Sequence, residues 1–298
     1  MLSEGEWETL VESITSTRCT PFIGAGVAAP PLPLGRDLAR QLAEIYRYPL
    51  TDTFNLPRVA QYVSIIRSPG LLKRQIIKEF TTKQNGYYKD AGDQAPTNYK
   101  ILADLTQTTY ITTNYDGFLE RALKAVDRSP VVESCRWNDQ LWDMLGDYPD
   151  HEQTQEKPIV FHLHGALTHD LSILITEDDY IDFTVTMAVR GSHDISQSAL
   201  WSQIREALGY TSLLFIGYSL EDWNFRVMLK YLTRQQGIIS NPTSLSMSIQ
   251  LPPAESNTRE DAEAFLRDYL RTSNIKVYWA DAAQFLAELH SRVHDARS

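Results

Sequence analysis

Apolar positions along the chain change period several times, and each change marks an element. Over residues 3–17 they recur at helical spacing, with Trp7, Leu10, Val11 and Ile14 on one face. Ser3 and Glu6 form a capping box at the start of that helix. A short apolar run over 20–23 reads as a strand and ends in a glycine loop. Helical spacing resumes near Gly35 with Leu38, Leu42 and Ile45. Two more helical patterns over 57–82 are split at Ser68-Pro69-Gly70. No strand pattern interrupts them, so residues 36–98 are expected to form a helical insertion.

Strand and helix patterns then alternate. A helix from Asn98 leads to a β-branched and aromatic strand over 108–112, and a helix over 115–123 follows. Val131 and Val132 predict a short strand, residues 158–163 a buried one, and residues 173–175 another. Thr176, with Asp179 three positions on, opens a further helix, and 196–208 is helical. The most apolar strand covers 212–216 and runs into GYSLEDWNF. Two weaker strand–helix units close the pattern, with strands near 244–249 and over 275–279 and helices after Thr258 and Asp281. The polar stretch 147–158 reads as a surface loop. This order predicts an α/β fold with a doubly wound, Rossmann-like parallel sheet. The helices at about 36–98 and 176–208 would add a cap module.

Composition removes several function classes. The chain has 298 residues, of which 43% are hydrophobic and 22% charged, enough to bury a core without staples. Cys19 and Cys135 are its only cysteines, which excludes a four-cysteine zinc knot and suits a reducing cytosol. There is no signal-peptide pattern and no apolar run of bilayer-spanning length, so a cytoplasmic location without membrane attachment is expected. The 28 basic residues against 38 acidic ones give a net charge of −10. That argues against direct nucleic-acid binding, which needs a concentrated basic surface. Basic pairs such as Lys73–Arg74 read as solvated helix faces.

Four polar clusters follow apolar runs, where ligands bind at the carboxyl edge of a parallel sheet. They are Gly24-Ala25-Gly26, then Thr112-Thr113-Asn114-Tyr115-Asp116, His162-Leu163-His164-Gly165, and Gly217-Tyr218-Ser219-Leu220-Glu221-Asp222. Each has an ordinary structural reading: glycine as a turn, Asn114, Asp116 and Asp222 as helix caps, either histidine as a hydrogen-bonded core residue. Four together at strand ends make a purely structural account hard to sustain. The first cluster suits phosphate binding, since glycine lets backbone N–H groups approach oxygens. Gly24 to Ala29 also matches the G-x-G-x-x-A turn of dehydrogenases, but Pro30, Pro31 and Pro33 should stop the loop from running into a helix. Hydride transfer is therefore poorly supported.

Taken together, FIGAGV, PLGRDLA, ITTNYDGFLERAL, VFHLHGAL, ITEDDY, LLFIGYSLEDWNFR and NIKVYW resemble the sirtuin-like family, in family order over about residues 20–279. The closest likeness is to its bacterial antiphage-defence branch rather than the protein deacylases. The resemblance implies a single NAD-binding domain over residues 1–298. It implies NAD+ as substrate, Gly24, Ala25 and Gly26 at the phosphates, and Asn114 and Asp116 near the nicotinamide ribose. His164 would be the catalytic histidine, with Thr113, Gly217 and Ser219 completing the cofactor site. The zinc knot of the deacylases is missing, so no metal and no acyl-lysine substrate are expected. Ala28 stands where the family often has serine.

The leading expectation is an NAD+ hydrolase that releases nicotinamide and ADP-ribose and depletes NAD during phage infection. Control would come from homo-oligomerisation or a separate partner, in related systems a HerA-type DNA-translocating ATPase or an Argonaute-like protein. Two alternatives stand beside it: a non-catalytic scaffold that senses NAD or ADP-ribose, and an ADP-ribosyltransferase.

Overall fold

The computed structural model describes residues 2–190, 199–218, 246–251, 259–271 and 274–297. Their strands form one sheet: β1 (Cys19–Ile23), β2 (Thr109–Thr112), β3 (Val131–Ser134), β4 (Ile159–His162), β5 (Ser212–Ile216), β6 (Ser246–Gln250) and β7 (Ile275–Trp279). The spatial order is β3-β4-β2-β1-β5-β6-β7, and every adjacent pair is parallel. Chain order runs outward from β1 to β2, then jumps back to β5 on its other side. This reversal opens the crevice in which doubly wound sheets bind ligands.

Neighbouring residues on each central strand feed opposite cores. Ile23, Tyr110, Val160 and Leu214 pack into one apolar cluster, while Phe22, Ile111, Phe161 and Phe215 pack into the other. The central strands β1, β2, β4 and β5 are buried at every position, whereas edge strands β3 and β7 are partly exposed. That contrast is what a parallel sheet covered on both faces requires. Helices α1 (Glu4–Thr15) and α12 (Ala282–Arg297) pack together; Trp7 of α1 stacks on Phe285 of α12 and meets Tyr278 of β7 edge-on. The predicted capping box of α1 is present, with Ser3 N–H donating to Glu6 Oε2 at 2.7 Å.

Residues 36–98 contain helices and no strand. After α2 (Ala25–Ala28) come α3 (Gly35–Ile45), α4 (Leu56–Ile66) and α5 (Pro69–Asp90), then α6 (Thr97–Asp104) leads to β2. The break between α4 and α5 falls at Ser68, whose side chain accepts from Leu71 N–H and caps α5. Beyond β2 lie α7 (Phe118–Ala125), α8 (Asp139–Leu145), α9 (Glu177–Arg190), α10 (Ala199–Tyr210) and α11 (Arg259–Arg271). Helix α4 packs against α9, so the helices of the two stretches outside the strand–helix alternation touch. Among the described residues no helix is long and apolar enough to cross a membrane.

Several local expectations are corrected. Residues 173–175 form no strand: all three are buried, but Ile173 N–H donates to Asp170 O, Leu174 N–H to His164 O, and Ile175 N–H to Asp179 Oδ2. Their backbone is satisfied by loops, so an apolar run did not mean a sheet partner. Helix α7 starts at Phe118 rather than Tyr115, because Asp116 Oδ1 accepts the Phe118 N–H and sets the boundary. Helix α8 carries no long apolar period and was not anticipated; Asn138 caps it through the Leu141 N–H. The glycine loop does enter a helix, the single turn α2, before its prolines end it. The helix expected to be capped by Asp222, and the starts expected at residues 196 and 244, lie outside the described residues.

At the crevice three glycines interlock. Gly24 N–H donates to Ile216 O at 2.8 Å and Gly26 N–H to Gly217 O at 2.9 Å. Gly217 has φ +80°, and a Cβ there would sit 2.7 Å from Val27 N and 2.8 Å from Gly24 O. Gly217→Ala is therefore expected to lower stability by about 3 kcal/mol or more, through strain and displaced backbone. Gly5 in α1 has nothing within 4 Å of its added Cβ. Gly5→Ala should leave stability unchanged or raise it by up to about 1 kcal/mol. Urea unfolding of the two variants checks the contrast.

Candidate active site

Strand register brings the second and third clusters together. Thr112 of β2 pairs with His162 of β4, and Leu163 N–H donates to Thr112 O at 2.8 Å. Asn114 and His164 each lie two residues past that pair, on neighbouring strands at the carboxyl edge. Both are largely buried, at 8% and 7% exposure.

Asn114 is held by three elements. Its backbone N–H donates to Thr112 Oγ1 at 3.0 Å, and its Nδ2 donates to Gly24 O and to Tyr99 Oη, each at 3.0 Å. Because the Gly24 carbonyl can only accept, the amide orientation is determined by chemistry. Its Oδ1 makes no hydrogen bond among the described residues and is the polar atom left over. Tyr99 Oη in turn donates to Asp116 Oδ2 at 3.3 Å, while Asp116 Oδ1 accepts from Phe118 N–H at 3.1 Å. Asp116 thus reaches Asn114 through Tyr99. Burial pushes the Asp116 carboxyl up to about 6, with Glu120 adding to the rise and the Phe118 N–H, His162 and Tyr99 opposing it.

The two histidines have opposite surroundings. His162 is locked: Nδ1 lies 2.8 Å from Asn114 O and Nε2 lies 2.7 Å from Glu120 Oε1. A carbonyl can only accept, so Nδ1 carries hydrogen and the Nε2–carboxylate contact favours the imidazolium. Burial lowers the His162 pKa, but the Glu120 charge and hydrogen bond outweigh it and the net shift is upward. His164 makes no side-chain hydrogen bond among the described residues. Its ring meets Tyr180 and Phe183 of α9 edge-on, with centroids at 5.4 Å and 6.0 Å. Burial alone drops its pKa to about 3, so the ring is neutral.

The turn after His164 depends on Gly165, with φ +89°, where a Cβ would fall 2.1 Å from Ser172 O. Ser172 O also accepts from Trp137 Nε1 at 3.0 Å, which holds the turn in place.

The fourth cluster reaches the second through Tyr218. Tyr218 Oη donates to Ile23 O at 3.0 Å and accepts from Thr113 Oγ1 at 2.9 Å, so Thr113 sits at the same edge. Ala25 opens α2 between the interlocked Gly24 and Gly26, whose N–H groups already serve Ile216 O and Gly217 O. Ala28 is buried in the apolar core beside Val27. Ser219, Glu221 and Asp222 lie outside the described residues. Sequence reading missed Tyr99, whose only signal was an apolar position on α6, and Glu120, which it took as part of a helical run. Among the described residues no group of three or more His, Cys, Asp or Glu side chains is placed to hold a metal ion.

This arrangement has relatives. A model of the SIR2-like domain matches residues 108–278, which run from the start of β2 to β7 and include both Asn114 and His164. A protein from Cytobacillus dafuensis named NAD(+) hydrolase ThsA is 27% identical over 210 residues, covering 70% of this chain and 36% of that protein. Proteins of the same name from Acinetobacter baumannii (strain 532279) and Enterococcus faecium are 24% identical over 224 residues and 28% over 132. They cover 74% and 44% of this chain, and 40% and 24% of those proteins. The chain therefore spans less than half the length of these relatives. With more than half of its residues matched, over the strands that build the Asn114–His164 edge, the chain belongs to the SIR2-like domain family.

Proposed function

We propose that the chain is an NAD+ hydrolase that cleaves the nicotinamide–ribose bond to give nicotinamide and ADP-ribose. The observation that carries this reading is the pairing of an oriented Asn114, with Oδ1 free, and a neutral His164 free of hydrogen-bond partners among the described residues, at one sheet edge. The printed activity of the relatives points the same way.

Bond cleavage leaves its electron pair on the pyridine nitrogen, which neutralises the cationic ring, and the ribose C1′ becomes an oxocarbenium. Water then adds to C1′ and loses a proton. Asn114 Oδ1 can accept from that water or from a ribose hydroxyl with a dipole fixed in advance. A strong base is not required: water bound to an oxocarbenium carbon is far more acidic than free water, so the weakly basic His164 is adequate to receive or relay its proton. A neutral histidine also avoids repelling the cationic ring. Asp116 acts behind Asn114 through Tyr99, orienting the amide and placing a carboxylate near the developing charge. In this reading Ala25, Thr113 and Ser219, beside the joint of Gly24, Gly26 and Gly217, serve the phosphates and adenosine, since the Gly24 and Gly26 N–H groups are already taken by Ile216 O and Gly217 O.

In the cell the same reading makes the chain the cytoplasmic, NAD-depleting effector of antiphage defence. It would work as a homo-oligomer under a partner such as a HerA-type ATPase or an Argonaute-like protein. The test is product analysis of an NAD reaction by the purified chain, alone and with a neighbour-encoded partner. Free nicotinamide and ADP-ribose are expected; no turnover in any assembly state would sink the proposal, and label attached to a macromolecule would indicate transfer instead.

Asn114→Ala and His164→Ala should each reduce nicotinamide release at least about 100-fold while circular dichroism stays unchanged. Tyr99→Phe keeps the ring and removes the link to Asp116; kcat should fall about 10-fold with KM nearly constant. His164 also governs an acid limb of stability. Its folded pKa of about 3 lies below the unfolded value of about 6.5, so the unfolded chain binds more protons between these values and stability falls as pH drops. His162 and Asp116, both raised, act in the opposite direction. His164→Asn should therefore show a smaller loss of Tm than wild type between about pH 7 and about pH 4.5.

A further inference from the structure

The first turn of α9 is stitched, residue by residue, to the helical insertion. Glu177 Oε1 accepts from Arg58 Nε at 3.1 Å. Asp178 exchanges two hydrogen bonds with Gln61, its N–H donating to Oε1 at 3.0 Å and its Oδ2 accepting from Nε2 at 2.7 Å. Asp179 Oδ1 accepts from Lys73 Nζ at 2.8 Å. The first two contacts are exposed, and exposed pairs of this kind hold little. The third is not: Lys73 is 7% exposed, and its ammonium lies 5.1 Å from the Trp137 ring centroid. Lys73 is thus no solvated helix residue, contrary to its reading from sequence. A buried charge of this sort is costly unless paired, so the pair is held together or lost as a unit.

Asp179 also completes the capping box that Thr176 opens at the start of α9. Its Oδ2 accepts from the Ile175 and Thr176 N–H groups, each at 3.0 Å, and its own N–H donates to Thr176 Oγ1 at 3.1 Å. The next residue is Tyr180, and one turn on is Phe183; these are the two rings that cover His164. The segment joining them is tied back to the histidine, since Leu174 N–H donates to His164 O at 3.0 Å and Leu174 O accepts from Tyr115 Oη at 2.7 Å. Lys73 on α5, Asp179 at the cap, Tyr180 and Phe183 on the same helix, and His164 form one chain of contacts.

We propose that Lys73 and Asp179 are positioning residues for the reaction: the pair anchors α9 on the insertion and so keeps Tyr180 and Phe183 closed over His164. This assigns a task to the EDDY segment and to α5, neither of which touches Asn114 or the glycine loops in the contacts described above. It also gives the insertion control over the site, because any movement of α5 relative to β4 would admit water to the histidine. The inference rests on the hydrolase reading for its kinetic consequence, while its structural core concerns His164 alone.

The deciding experiment follows the His164 ring by NMR across pH in the full chain, with His164→Asn used to assign the resonance. Tyr180 is the titratable group in ring contact with His164 among the described residues, and Asp116, Glu120 and His162 form a separate cluster at β2 and α7. Lys73→Met leaves Asp179 unpaired and should move the His164 midpoint toward its ordinary value by about one unit or more, a tenfold change in proton affinity. Tyr180→Ala opens the wall without touching the pair and should shift the midpoint in the same direction. The double variant Lys73→Met/Asp179→Asn removes both charges and guards against simple misfolding of the single variant. If it folds with a wild-type His164 titration, or if Tyr180→Ala leaves that titration unmoved, the proposal is overturned. In the NAD assay Lys73→Met should reduce kcat about tenfold with KM nearly unchanged, and Lys73→Arg should restore most of it. Absence of turnover by wild type would sink the hydrolase reading while leaving the NMR result to judge the positioning claim.

Discussion

The loops after β1 and β5 pass each other with no side chain between them, and the candidate site is built outward from that contact. A Cβ on Gly24, Gly26 or Gly217 would lie within 3 Å of the opposing backbone. The contact spends two amide groups of the glycine loop on the β5 loop and turns the Gly24 carbonyl toward Asn114. Once that carbonyl is placed, the Asn114 amide has one orientation, and Tyr99 and Asp116 line up behind it. A dehydrogenase-like glycine pattern therefore serves here first as a joint between two strands.

A second organising effect is selective burial of titratable groups. His162 is buried with an acid and a carbonyl, which favour its charged form; His164, two residues on, is buried against aromatic edges and is held neutral. The same desolvation acts on both, and the difference is whether a counter-charge is supplied. Under the proposed hydrolase reading, the neutral ring suits a substrate that is itself cationic. The locked ring ties Glu120 and α7 to the backbone of Asn114, while His164 makes no side-chain hydrogen bond among the described residues.

Much of the sheet was legible because central parallel strands are continuous apolar runs, and all of the strands expected around β1, β2, β4, β5 and β7 lie within a residue of the observed ones. The failures have particular causes. Residues 173–175 are as apolar as a strand, yet their amides are satisfied by His164 O and the Asp179 side chain, which no local pattern announces. Lys73 looked like a surface cation because burial of one lysine against one aspartate, 106 positions apart, leaves no periodic trace. Tyr99 is a core residue, but its hydroxyl also joins two candidate site residues, which no local pattern signals.

What the sequence determined by itself was the layered α/β order and the polar clusters at strand ends. These are local properties: apolar period, glycine placement and capping are written within a few residues of one another. Tertiary structure alone decided which amide groups were free, which histidine was paired, and that an insertion helix anchors the aromatic cover of the site. Those outcomes depend on partners brought together from distant segments, and the energy of a buried polar group is set by the partner it finds, not by its own neighbours in the chain.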